Sequence, residues 1–217
     1  MKAVILAAGK GTRMGELTKT TPKGLLMKKG KPLLEYTLEV LPPNCEEIII
    51  VIEYLGDQIR KAFGNEWNGI PVRYVEQGVY KGTGGALLQA REHLVGSEFL
   101  VLPCDDTYHA NDILNLCKGS SVMMISKISD REFSGGNVKM ENGRLVAIEE
   151  GTHLPPAIVA TGAYLLNEKI FNYPLVQIPG RDEYGLPQMV VEYAKHHPVK
   201  IMEATQWTQV STPADLL

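Results

Sequence analysis

The sequence predicts an α/β fold: a mostly parallel, Rossmann-like central sheet with helices on both faces and antiparallel additions in the second half. Three observations predict it. Short continuous apolar runs such as Val4-Ile5-Leu6-Ala7-Ala8 lack polar alternation and suit strands buried on both faces. In the first half these runs alternate with segments of helical apolar spacing, the pattern of right-handed βαβ units. In the second half, strand candidates follow one another around turn signals instead.

The elements follow in order. Val4 to Ala8 is a strand ending at Gly9. Pro32 to Leu41 has helical spacing, with Pro32 suited to a first turn. Glu47 to Ile52 is a β-branched strand, Leu55 to Phe63 a helix, Ile70 to Val75 a strand, Ala86 to Leu94 a helix and Phe99 to Leu102 a strand. Beyond these, Val122 to Ile128 is a strand. Val138–Met140 and Leu145–Ile148 flank Asn142-Gly143 as a hairpin, and Ile158 to Leu166 is a further strand. Leu186 to His196 is helical, and Val199–Met202 and Thr205–Val210 are short strands.

The 217 residues fit one domain, with residues 1–118 and 119–217 as its two halves. A hydrophobic share of 44% with 22% charged residues marks a globular chain. A net charge of -3 argues against a nucleic-acid partner. No stretch is long enough to span a membrane, and the first apolar run is too short for a secretory signal. Cys45, Cys104 and Cys117 lack metal or redox spacing, which leads us to expect a reducing, cytoplasmic location.

The most informative segment is Gly9-Lys10-Gly11-Thr12-Arg13, directly after the first strand. Backbone N–H groups at the carboxyl edge of a sheet form an anion nest, and glycines let a phosphate chain approach. Arg13 supplies a bidentate fork for phosphate and Lys23 a point charge. Met14 stands where a dinucleotide fingerprint needs its third glycine, and the spacing of a Walker A loop is missing. Asp105, after the fourth strand, suits magnesium, a hard cation held by one or two carboxylates plus phosphates. Asp106 is a candidate cap for a following helix. The five histidines form no triad or metal set.

Leu6-Ala7-Ala8-Gly9-Lys10-Gly11-Thr12-Arg13-Met14, then Thr18, then Pro22-Lys23, resembles the opening motif of the sugar-phosphate nucleotidylyltransferases, and the resemblance runs through nearly the whole chain. It implies a short member of that family, lacking the C-terminal acyltransferase domain of some relatives. It implies that Ala8, Gly9, Gly11 and Thr12 contact nucleotide, and that Arg13 and Lys23 neutralise phosphates. Gln77, Gly82 and Thr83 would read the base. Gly136, Glu150, Thr161 and Glu183 would contact the acceptor. Asp105 would hold Mg²⁺, with Gln209 in the place of a second metal-binding Asp that precedes Val210-Ser211-Thr212. Two departures stand out: Gly151 replaces a lysine that grips the acceptor phosphate, and Gln209 replaces that aspartate.

The implied reaction joins an NTP and a sugar 1-phosphate into an NDP-sugar with release of pyrophosphate. A phosphate monoester, with a second pKa near ~6, is already a nucleophile at neutral pH, so no histidine base is needed. Gly151 keeps open a non-sugar phosphate such as phosphocholine, and Gln209 keeps open a nucleotide-binding regulatory module. The base is undetermined, since Gln77 suits uracil, thymine or guanine. Helices and edge strands of the second half offer a surface for a homodimer.

Overall fold

The computed structural model describes residues 1–217. The first half contains β1 (Lys2–Leu6), the small hairpin β2 (Met27–Lys28) and β3 (Lys31–Pro32), α1 (Leu33–Glu39), β4 (Glu47–Ile52) and α2 (Gly56–Phe63). It continues with β5 (Glu66–Trp67), β6 (Ile70–Glu76), α3 (Gly82–Gln89), β7 (Glu98–Pro103), β8 (Thr107–Tyr108) and α4 (Ala110–Leu116). The second half contains β9 (Val122–Ile128), β10 (Phe133–Glu141), β11 (Arg144–His153), β12 (Ala157–Asn167), α5 (Leu186–Ala194), β13 (Lys200–Glu203) and β14 (Trp207–Thr208).

One sheet runs through both halves in the order β11-β10-β12-β7-β1-β4-β6-β5, with β9 paired to β12 and β13 paired to β9. The strands β7, β1, β4 and β6 are parallel, and β12 joins them antiparallel to β7. The chain therefore builds outward from β1 to β4 and β6, then returns to place β7 on the other side of β1. Open α/β sheets bind ligands at such a reversal, outside the carboxyl ends of the strands.

Strand β4 shows why the apolar runs do not alternate. Ile48, Ile49, Ile50, Val51 and Ile52 are all fully buried, each stabilising the fold by roughly 1.5–3 kcal/mol. Val4, Ile49 and Val51 face α3 and α5, whereas Ala3, Ile5, Ile48 and Ile50 face α1, α2 and α4. Helices thus cover both faces, as the continuous hydrophobicity requires.

Boundaries differ where packing overrides local pattern. Helix α3 starts at Gly82, before the apolar run, because its first turn is bonded to residue 184. It ends at Gln89, with Arg91–His93 as a separate 3-10 turn. The hairpin strands extend to Phe133 and His153, well beyond the segments whose pattern is visible. Helix α4 has only Ile113 and Leu116 as fully buried apolar anchors and no periodic run to announce it.

Candidate active site

The crevice is built at the carboxyl ends of the parallel strands. The backbone ladder continues past them: Ala7 N donates to Val51 O at 2.8 Å, Gln77 N to Ile52 O at 2.9 Å, and Cys104 N to Leu6 O at 3.2 Å. Residues 7, 77 and 104 therefore leave the sheet along one edge. The segment from Ala8 to Arg13 emerges there, with Gly9, Thr12 and Arg13 exposed and Ala8 buried beneath them.

Lys23 ties the loop to the acidic strand end. A side-chain carbon placed on Gly11 would lie 3.1 Å from the Lys23 Cβ, so the lysine stem runs directly against the loop. Its Nζ is ion-paired with Asp105, and both side chains are largely buried, at 10% and 22% exposure. The loop after β1 and the carboxylate after β7 thus meet at the sheet's reversal point, joined by one lysine. Thr37 Oγ1 donates to Pro103 O at 3.1 Å, which anchors the strand end that carries Asp105.

Met14 has a role of its own. It is 1% exposed and packs with Leu26, Leu33 and Val210 in a small separate core. The residue that breaks the dinucleotide pattern is therefore a plug that fastens the glycine loop to the C-terminal segment. That segment is also held from below. Asp106 is not a helix cap; His109 takes that position, its Nδ1 accepting from Asn111 N at 3.3 Å. Instead Asp106 is buried and accepts from Trp207 Nε1 at 3.0 Å and from Val210 N at 3.4 Å. Burial, and then the charge of Asp105, push its carboxyl well above the usual carboxylate range. Gln209 lies between the two pinned residues and lines a polar cavity of about 200 Å³ with Arg131, Ser134 and Asp215 among its walls.

The segment expected to read the base is closed on itself. Gln77 is 4% exposed, and its Nε2 donates to Tyr80 O at 2.9 Å and Gly82 O at 2.8 Å. Both amide hydrogens are thus committed to the turn. Gly82 has a steric reason: a Cβ there would sit 2.5 Å from Tyr184 O. Gly84 N donates to Tyr184 O at 2.8 Å, and Leu186 N donates to Thr83 Oγ1 at 2.9 Å. These bonds seat the starts of α3 and α5 side by side and place exposed Glu183 at the same mouth.

At the acceptor end, Gly136 of β10 pairs with Glu150 of β11. A Cβ on Gly136 would stand 3.3 Å from Glu150 Oε1, and Gln188 Nε2 of α5 donates to that oxygen at 3.3 Å. Thr161 is 1% exposed; its hydroxyl donates to Met124 O at 3.1 Å and its carbonyl accepts from Tyr108 at 2.6 Å, so it braces the irregularity of β12. Gly151 has φ +151°, a conformation that side chains avoid, so the backbone itself disfavours the lysine its position would otherwise carry. Gln188, Trp207 and Asp106 build the site through bonds to residues far away in the chain, which no local spacing announces.

Residues 2–217 match the nucleotidyl transferase family. The chain belongs to that family. It is 30% identical over 200 residues to the UTP–glucose-1-phosphate uridylyltransferase AglF of Haloferax volcanii, covering 88% of this chain and 82% of that protein. It is 30% identical over 175 residues to the D-glycero-alpha-D-manno-heptose 1-phosphate guanylyltransferase of Campylobacter jejuni, covering 79% and 78%. The bifunctional protein GlmU of Methanocaldococcus jannaschii is 28% identical over 220 residues; this nucleotidyl transferase spans only 53% of its length. Among solved structures, a Bacillus anthracis protein described as a glucose-1-phosphate thymidylyltransferase superposes with a TM-score of 0.82 at 24% identity, over 100% of this chain and 92% of that one, which shows the shared fold. No helix is long and apolar enough to cross a membrane.

Proposed function

We propose that this nucleotidyl transferase transfers a nucleotidyl group from an NTP to a sugar 1-phosphate, releasing pyrophosphate and forming an NDP-sugar. One observation carries the reading: the glycine loop after β1, Lys23 and Asp105 converge at the reversal point of the parallel sheet. In this reading the backbone of residues 8–12 and the Arg13 guanidinium cradle the triphosphate. The acceptor's phosphate oxygen attacks the α-phosphorus, and the bond from that phosphorus to the β-phosphate's bridging oxygen breaks. Positioning and charge neutralisation supply the catalysis.

The donor set at the crevice fits a hard divalent cation such as Mg²⁺. Asp105 offers a partly exposed carboxylate there, while Gln209 lines the cavity walled by Arg131, Ser134 and Asp215. Magnesium is commonly held by one or two carboxylates plus substrate phosphates, so one aspartate suffices as its protein ligand. When bound, the ion would neutralise phosphate charge, and Lys23 would then turn from Asp105 toward the phosphates. Gln77 contributes a carbonyl oxygen beside the turn it braces, an acceptor suited to a ring N–H of uracil, thymine or guanine.

The relatives' names differ in the base, uridylyl, guanylyl or thymidylyl, and share a sugar 1-phosphate. A second reading, transfer to a non-sugar phosphate, is favoured only by Gly151. The test is a pyrophosphate-release screen of five NTPs against sugar 1-phosphates and phosphocholine with Mg²⁺. Release with a sugar 1-phosphate is expected; release with phosphocholine alone, or none with any pair, overturns the reading.

A further inference from the structure

The glycine loop, Lys23 and Asp105 come from three separate stretches of chain, and one small core touches all three. Met14 N donates to Gly11 O at 2.9 Å, so the Met14 side chain leaves the backbone directly beside the loop. Leu26 N donates to Lys23 O at 3.0 Å, and Leu26 O accepts from Leu33 N at 3.0 Å. The turn that carries Lys23 is thereby closed and tied to the start of α1. Met14, Leu26 and Leu33 pack together with Val210, and all four are buried.

Val210 also reaches the acidic strand end. Its amide donates to Asp106 Oδ1 at 3.4 Å, while Trp207 Nε1 donates to Asp106 Oδ2 at 3.0 Å. Both oxygens of Asp106 are therefore taken up by the tail, and Asp105 is the preceding residue. Val210 thus meets the loop and the Lys23 turn with its side chain and the Asp105 strand end with its backbone. The ion pair between Lys23 and Asp105 is a second link across the same gap, but it opens when substrate phosphates draw the lysine away. Apolar packing at Val210 does not depend on that charge and persists.

We propose that Val210 is a positioning residue of the nucleotide subsite, fixing the spacing between the glycine loop and Asp105 through Met14 on one side and Asp106 on the other. The proposal rests on the reading above that this crevice holds an NTP. The tail then contributes to NTP affinity without touching the nucleotide. Its leverage is geometric: a displacement of about 1 Å remote from the chemistry is enough to cost up to ~10²-fold in rate.

The experiment titrates the full chain with each of five NTPs in the presence of Mg²⁺ by calorimetry, and then measures KM for the NTP bound best and for the acceptor. Val210→Ala is expected to weaken NTP binding and raise the NTP KM on the order of 10-fold, with the acceptor KM unchanged. Met14→Ala approaches the same contact from the loop side, should reproduce the effect, and carries the test where Val210→Ala fails to fold. Met14→Leu, which conserves volume, should bind as wild type. The double alanine variant should lose little more than either single one, because both act through one contact. Val122→Ala removes the same atoms from a buried site on β9, whose sheet neighbours are β12 and β13. It should lower the melting temperature and leave NTP affinity unchanged. Wild-type NTP affinity in Val210→Ala and Met14→Ala, or an equal loss in Val122→Ala, overturns the positioning role while leaving the function intact. Failure of the wild type to bind any of the five NTPs overturns both.

Discussion

Lys23 joins three parts of the site: its stem rests on Gly11, its head on Asp105, and the next residue, Gly24, packs on Cys104. Removing one member of a buried pair leaves an uncompensated charge, at a cost of roughly 3–5 kcal/mol. Asp105→Asn keeps the shape and one acceptor oxygen but removes the charge facing Lys23, so its thermal stability is measured beside its turnover. We expect it to fold and to lose pyrophosphate release by at least on the order of 10²-fold; wild-type turnover would remove Asp105 from the metal and phosphate site. Gly151 makes the opposite point. Restoring a lysine there in Gly151→Lys should lower stability by about 1–3 kcal/mol, because φ is +151°. Thermal unfolding beside Gly151→Ala checks this, since both variants should suffer alike if the backbone is the cause.

At the scale of elements, the C-terminal segment is held by short-range polar bonds rather than by a regular strand. Asp106 pins Trp207 and Val210, and Met14 covers Val210 from the loop side. Asp106→Ala should free residues 207–210, seen as faster amide exchange there than in β1 and β4. Uniform protection would show that Met14 and the β8–β14 pairing suffice. Past this point, Asp215 accepts from Ser211 N at 2.9 Å, and from Thr212 N at 2.7 Å and its hydroxyl at 2.9 Å. Partial burial opposes its ionisation, but these donors and Arg131 outweigh it and hold the carboxyl below its ordinary range. A lowered carboxyl stabilises the fold above the unfolded pKa of ~3.9, and that contribution fades as pH falls through the folded value. Asp215→Asn should therefore lessen the loss of stability below about pH 4, leaving the share of Glu47, whose carboxyl Lys2 and Arg73 also hold low against partial burial. An unchanged acid limb would place the lowered carboxyl elsewhere.

For the whole molecule, β12 is the seam. It pairs with β7 of the first half and with β9 and β10 of the second half. Phe99, fully buried on β7, stacks on Phe171 at 5.9 Å, so one aromatic pair spans both halves. We expect a single cooperative unfolding transition, and Phe99→Ala to lower it by roughly 3–5 kcal/mol. Two resolved transitions, with only one shifted by Phe99→Ala, would mean that the halves unfold separately.

How much of this was legible in the sequence differs by region. The runs at β1, β4 and β9 were readable because burial on both faces leaves only apolar residues, and the motif through Lys23 was readable because its spacing is local. Gly82 was read as a ligand contact, whereas Gly82 and Gly85 clear space for neighbouring backbone. The partners of Asp106, at 207 and 210, lie about a hundred residues away, and no local pattern announces a bond across that distance. The sequence by itself determined the family, the buried strands and the position of the glycine loop after β1, since local spacing and hydrophobicity encode them. Only the tertiary structure decided that Asp106 pins the tail, that Gly151 cannot readily host a lysine and that Gln188 holds Glu150. Those are matters of which distant atoms meet, and chain order does not record them.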